Sequence, residues 1–139
     1  MAIPTSTNVE VFRRVLEDAF STGDLAIVDE FVAPEFIEHQ RGARPGREGL
    51  KGTIQHLRSW FPDLMLTVVD LVEQDNKVWG RIVARGTHLG TVMGKPGTGT
   101  PIQIDIIDVC RFENGKMVEH WGVPDTLAMM EQIGLAPRG

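Results

Sequence analysis

Two carboxylates stand inside the most strongly strand-forming run of the chain, Ile104-Asp105-Ile106-Ile107-Asp108-Val109-Cys110. Apolar residues on both parities imply a strand covered on both faces. A carboxylate there must be paired, protonated or turned toward a cavity that uses it. Asp105 and Asp108 are an odd number of residues apart, so they point to opposite faces of the sheet. Asp108 shares its parity with Ile104, Ile106, Cys110 and Phe112. On a desolvated face its pKa rises, and a neutral carboxyl can donate a hydrogen bond to an oxygen that gains charge. The alternative is a cross-strand pair with Arg81 or Arg111. Asp105 suits a structural partnership with an arginine or a backbone amide, or a contact to substrate.

Two imidazoles lie in comparable settings, His39 in Phe36-Ile37-Glu38-His39 and His120 in Met117-Val118-Glu119-His120-Trp121. Histidine titrates near neutral pH, which makes it a natural proton acceptor beside a weakly acidic C–H; a satisfied core imidazole is the other reading. His39, Asp108 and His120 are therefore the candidate catalytic groups. His39, helped by His120, would carry the proton, and Asp108 would bond the oxygen of an enol or enolate. Trp60, Arg81, His88, Asp105, Trp121 and Asp125 are candidate substrate contacts, with His88 expected near the pocket rim and Asp125 able instead to cap the last helix. His56 is out of phase with its helix and expected to face solvent. Cys110, the single cysteine, is expected to be a buried small hydrophobe.

Some chemistries find no motif. The histidines are far apart and none forms His-x-x-x-His, so no metal site is predicted. Gly94-Lys95-Pro96-Gly97-Thr98-Gly99-Thr100 contains proline and lacks the following helix that a phosphate-binding loop needs. There is no Gly-x-Ser-x-Gly elbow for serine-hydrolase chemistry.

The elements that must position these groups are helical first and strand-rich later. Thr7-x-x-Glu10 forms a capping box for a helix with Phe12, Val15, Leu16, Ala19 and Phe20 on one stripe, closed by Ser21-Thr22-Gly23-Asp24. Asp24 caps a short second helix that Ala33-Pro34 ends, and Glu35 to His39 is a short strand. A third helix carries Leu50, Ile54, Leu57 and Phe61 inward and stops at Pro62. Met65 to Val72 then alternates as a strand, Asp75-Asn76 turns a hairpin, and Lys77 to Leu89 returns. Gly90 to Thr100 is expected as a mobile loop, Pro101 to Phe112 as the third long strand and Lys116 to Trp121 as the fourth. Pro124-Asp125 opens a last helix capped by Gly134. Three helices, a meander of long antiparallel strands and one closing helix make an α+β fold. Its curved sheet is expected to form a cone around a pocket.

Composition agrees with a single enzyme-sized domain spanning residues 1–139. A net charge of −5 with scattered Lys and Arg excludes nucleic acid and anionic membranes as expected partners. No run is apolar enough to span a bilayer, and Met1-Ala2-Ile3-Pro4-Thr5-Ser6-Thr7 has no basic start followed by the apolar core of a signal peptide. Cytoplasmic residence is the expectation.

Several stretches resemble the SnoaL-like polyketide (ester) cyclase family of the nuclear transport factor 2-like superfamily. They are Ala19-Phe20-Ser21-Thr22-Gly23-Asp24-Leu25, Phe36-Ile37-Glu38-His39, Phe61-Pro62-Asp63-Leu64, Gly86-Thr87-His88-Leu89-Gly90, Arg111-Phe112-Glu113-Asn114-Gly115-Lys116, Glu119-His120-Trp121-Gly122-Val123-Pro124-Asp125 and Gln132-Ile133-Gly134. The resemblance implies a nuclear transport factor 2-like, cystatin-like α+β barrel, a homodimer, an apolar cavity and no cofactor. It also implies ring closure by intramolecular aldol addition with a carboxylate as acid and base. That aspartate falls at Gly122, where this chain has no carboxylate, and a second site position, usually histidine, falls at Asp108. Against the ketosteroid isomerases of the superfamily, Asp108 falls on the oxyanion-binding aspartate and His39 on the base. Their tyrosine has no counterpart, because the chain contains no Tyr.

The combined reading is a cofactor-independent enzyme of lyase or isomerase type acting on a small apolar carbonyl compound through an enol or enolate, by aldol-type cyclisation or isomerisation. One alternative is an epoxide hydrolase in which Asp108 with Arg81 activates water. Another is a non-catalytic dimeric ligand carrier, whose cavity would be lined by apolar groups alone with both histidines at the surface.

Overall fold

In the computed structural model, which describes residues 6–136, the alternation of apolar residues along four long strands produces one five-stranded sheet. Helix α1 covers residues 8–22: an α-helical start, Asn8–Arg13, a π-helical stretch, Arg14–Ala19, and a closing α-turn, Phe20–Thr22. The Thr7 side chain accepts from the Glu10 backbone N–H, and Gly23 ends the helix in the left-handed conformation at φ 78°. Helix α2 is Ala26–Phe31 and α3 is Gly46–Trp60. Strands follow as β1 (Val32–Glu38), β2 (Met65–Gln74), β3 (Lys77–Thr87), β4 (Pro101–Glu113) and β5 (Lys116–Pro124), and α4 (Thr126–Gln132) closes the described chain. Asp125 caps α4 by accepting from the Ala128 N–H. Among the described residues no helix is long and apolar enough to cross a membrane. Residues 1–5, the greater part of the N-terminal stretch that lacks signal-peptide features, lie outside the described residues.

The strand order is β1-β5-β4-β3-β2. Both hairpin turns use pairs with positive φ, Asp75-Asn76 (51° and 62°) and Asn114-Gly115 (51° and 74°), the handedness that matches strand twist. Val78, Ile82, Ile102, Cys110, Phe112 and Met117 face inward from the sheet onto α1, whose buried stripe is Val11, Phe12, Val15, Leu16, Ala19 and Phe20. Arg58 of α3 ties the helices at their ends. Its guanidinium donates to the carbonyls of Phe20 and Ser21, both at 3.0 Å, and to that of Pro62 at 2.9 Å. The Phe20 and Ser21 carbonyls are among those that a helix C-terminus leaves without partners.

Some expectations are corrected. The sheet is mixed, because β1 pairs with β5 in parallel. The curvature expected of it is present, with β1 and β2 as its two edges. Ala33-Pro34, expected to end α2, lies within β1 instead; proline is tolerated there because an edge strand has one side without a ladder partner. The segment expected as a mobile loop is also tied down. Val92 is buried and bridges Lys95, Leu89 and Gly90 donate to the Trp60 carbonyl, and Gly99 donates to the His88 carbonyl.

The outer face of the sheet is less polar than a solvated face usually is. Trp79, Ile107 and Val123 are 49%, 46% and 71% exposed, and Ile37 and Val72 are exposed beside them in the sheet.

Candidate active site

Period-two alternation sends Ile104, Ile106 and Asp108 of β4 to the inner face of the sheet, where all three line a cavity of about 840 Å³. Val15, Leu16 and Phe20 of α1 form one wall, and Leu50, Leu57 and Trp60 of α3 and its end form another. The volume lies within the roughly 300–1,000 Å³ usual for small-molecule pockets. Exposed lining residues, among them Arg44, His56 and Met93, mark its mouth.

The polar end of this cavity follows from strand register. Asp108 of β4 stands opposite Gly122 of β5, and Glu38 of β1 stands beside His120 of β5. Asp108 and His120 are thus diagonal neighbours on one face, and diagonal pairs meet only when side chains can lean toward each other. Gly122 leaves the room. A Cβ there would lie 2.7 Å from Asp108 Oδ1, 2.7 Å from His120 Cε1 and 2.3 Å from Gln40 Oε1. The result is a buried chain of three ionisable groups: His120 Nε2 bonds Asp108 Oδ1 at 2.6 Å, and Nδ1 bonds Glu38 Oε1 at 2.7 Å. Glu38 Oε1 also accepts from the Gln40 backbone N–H at 2.8 Å.

With a carboxylate on each ring nitrogen, His120 must hold a proton on both to satisfy both bonds. Burial opposes that charge, but the hydrogen bonds to Asp108 and Glu38 and their negative charges outweigh it. The pKa rises from the ordinary 6.5 to about 9. His120 is therefore an imidazolium at neutral pH. Only one oxygen of each carboxylate is engaged among the described residues, so Asp108 Oδ2 and Glu38 Oε2 are free.

The remaining sequence candidates lie elsewhere. His39 follows Glu38 by one residue and so faces outward, where its ring stacks on Trp121 at 4.8 Å and 7° and Nε2 bonds Glu119 Oε2 at 2.6 Å. The expected convergence of His39 and Asp108 on one cavity does not occur, and Trp121 is likewise on the outer face. Arg81 and Asp105 also face outward, 3.7 Å apart, which removes the Asp108–Arg81 pair that the epoxide reading required. Arg111 pairs with Glu119 and Glu113 rather than with Asp108. His88 is fully buried instead of rimming the pocket, with Nδ1 on Thr98 Oγ1 at 2.9 Å. Asp125 serves as the α4 cap and is not among the residues lining this cavity. His56, expected to face solvent, is exposed but packs edge-on to Trp60 and contributes to the cavity mouth. Trp60 lines the cavity. Cys110 is buried, and burial first, with Asp108 and Glu38 nearby, pushes its thiol pKa well up. Glu38 was not singled out from sequence. Its parity with Phe36 was the available signal, since an inward Phe36 turns Glu38 inward too.

The raised pKa of His120 makes a stability prediction. A group whose folded pKa lies above its unfolded value stabilises the fold fully below the unfolded pKa, near 6.5, and loses that contribution as pH rises through about 9. Unfolding free energy from urea titrations is expected to fall between pH 6.5 and 9 by up to roughly 3 kcal/mol. A variant carrying Asp108→Asn and Glu38→Gln is expected to lose most of that slope. A wild-type stability that stays flat across this window contradicts the assignment.

Comparison with known proteins agrees with this architecture. A family model of SnoaL-like polyketide cyclases matches residues 10–133. Aklanonic acid methyl ester cyclase DnrD of Streptomyces peucetius is 29% identical over 93% of this chain and 92% of its own length. Nogalonic acid methyl ester cyclase of Streptomyces nogalater is 26% identical over 84% of this chain and 90% of its own. Among solved structures, wild-type IdmH of Streptomyces antibioticus superposes with a TM-score of 0.83 at 34% identity, over 93% of this chain and 99% of that one. The chain belongs to the SnoaL-like polyketide cyclase family, a family of cyclase enzymes with the nuclear transport factor 2-like fold.

Proposed function

We propose that this chain is a cofactor-independent cyclase-type enzyme that uses Asp108 as its acid/base carboxylate on a small apolar carbonyl compound. The observation that carries the reading is the free Oδ2 of Asp108, held at an apolar cavity by an imidazolium that engages Oδ1. The carboxylate takes a proton from a C–H beside a carbonyl, and the C–H electron pair becomes an enolate. The enolate carbon attacks a second carbonyl of the same molecule, a C–C bond forms, and the new alkoxide takes the proton back from Asp108. No atom is lost, so the net change is an isomerisation by ring closure. His120, already protonated and bonded on both nitrogens, positions Asp108 and does not itself accept the proton; Glu38 holds His120 from the other side.

By the family resemblance the acid/base aspartate falls at Gly122, and a Cβ at that position comes within 2.7 Å of the Asp108 carboxylate. The space next to a side chain on β5 is thus served by one reaching across from β4. The polar end of the cavity also weighs against a carrier with purely apolar walls.

Exchange of the activated α-protons of 2-tetralone in D₂O, followed by NMR, tests the base assignment. The wild-type protein is expected to accelerate exchange, and Asp108→Asn to lower that acceleration by about 10²–10⁴-fold, the usual contribution of a general base. Equal exchange by the variant rules Asp108 out as the base.

We further propose that two copies pair through the outer face of the sheet, supported by the exposed Trp79, Ile107 and Val123. Sedimentation is expected to give twice the chain mass of 15.4 kDa, reduced to a single chain by Ile107→Glu with Val123→Glu. A wild-type protein that sediments as one chain at high concentration contradicts the pairing.

A further inference from the structure

The proton acceptor has an assigned position, but an enolate also needs a donor for its oxygen. That donor must be a group not already committed to another hydrogen bond. His120 has both N–H groups committed to carboxylates. The Thr53 hydroxyl donates to the Gly49 carbonyl at 3.1 Å. Arg44, Gln55, His56 and Thr126 line the cavity but are exposed at its mouth.

Gln40 remains. It is half-buried and lines the cavity, and its side-chain amide makes no hydrogen bond among the described residues. Its backbone N–H is fixed to Glu38 Oε1 at 2.8 Å, which seats the residue at the polar end. Its side chain reaches over Gly122, where Oε1 lies 2.3 Å from the place a Cβ would take, on the same ground that lies 2.7 Å from Asp108 Oδ1. Any side chain at residue 122 would displace it. Rotation of the terminal amide presents Nε2 to the cavity without moving the backbone.

We propose that Gln40, seated in the notch above Gly122, is the subsite for the carbonyl oxygen of the substrate. A ketone oxygen accepting from Gln40 Nε2 has its neighbouring C–H directed toward Asp108, and the amide bond strengthens as the oxygen gains charge. The subsite rests on the reading of Asp108 as base for its catalytic meaning, but its binding role stands apart. It selects ligands with a carbonyl over hydrocarbons of the same shape.

The test compares 2-tetralone labelled with ¹³C at its carbonyl with tetralin, the hydrocarbon of the same ring skeleton, on wild-type protein, Gln40→Met and Gln40→Asn. In the wild type the bound carbonyl resonance is expected downfield of its position in Gln40→Met. Gln40→Met is expected to weaken tetralone about three- to tenfold, the net worth of one hydrogen bond, and to leave tetralin unchanged. Gln40→Asn is expected to recover part of the resonance shift. If Gln40→Met weakens both ligands equally, the residue only packs and the subsite is overturned. Proton exchange that depends on Asp108, with a carbonyl resonance indifferent to Gln40, overturns the subsite and leaves the base. A Gln40-dependent resonance without exchange does the reverse. If neither ligand binds the wild type, both assignments fall.

Discussion

One imidazolium shared between two buried carboxylates sets the terms for the rest of this molecule. An isolated charge in an apolar cavity is too costly to persist, and two carboxylates alone would repel each other into protonation. His120 resolves both problems because each of its N–H groups meets one carboxylate. The arrangement keeps one oxygen of Asp108 occupied and the other available. That directional constraint turns a buried acid into a positioned one. Such a network is strongly coupled, since removing one member leaves the others with uncompensated charge.

The fold supplies this constraint through register. The parallel pairing of β1 with β5 sets Glu38 beside His120, and the antiparallel pairing of β4 with β5 sets Asp108 opposite Gly122. A glycine at that position is what allows the diagonal contact, because a single Cβ would collide with Asp108, His120 and Gln40 together. Apolar walls come from α1, where the π-helical stretch carries Val15 and Leu16 to the cavity, and from α3. The Arg58 guanidinium joins the end of α1 to the turn after α3, so the two walls are held at a common corner.

Much of this was legible in the residues. The four long strands, their two turns and the capped terminal helix follow from period-two alternation, Asp75-Asn76, Asn114-Gly115 and Asp125. The parity of Asp108 correctly separated it from Asp105. The site was harder to read because β1 is short and carries adjacent apolar residues, Phe36 and Ile37, either of which could face the core. Choosing the wrong parity exchanges Glu38 for His39, and a one-residue shift moves a whole side-chain set between faces. The partnership of Glu38 with His120 spans 82 residues and depends on a parallel crossover that no local pattern announces. Without that third group, His120 looks like a base titrating near neutrality. With it, His120 becomes a fixed cation, and the role of proton acceptor passes to Asp108.

The protonation state of His120 at pH 8 tests this account most directly, by ¹⁵N NMR of the histidine ring in the intact protein. The account predicts that both ring nitrogens still carry protons, with ¹⁵N shifts of an imidazolium and a transition near pH 9. A neutral ring at pH 8, with one nitrogen unprotonated, contradicts the shared-cation arrangement and with it the assignment of Asp108 as the positioned base.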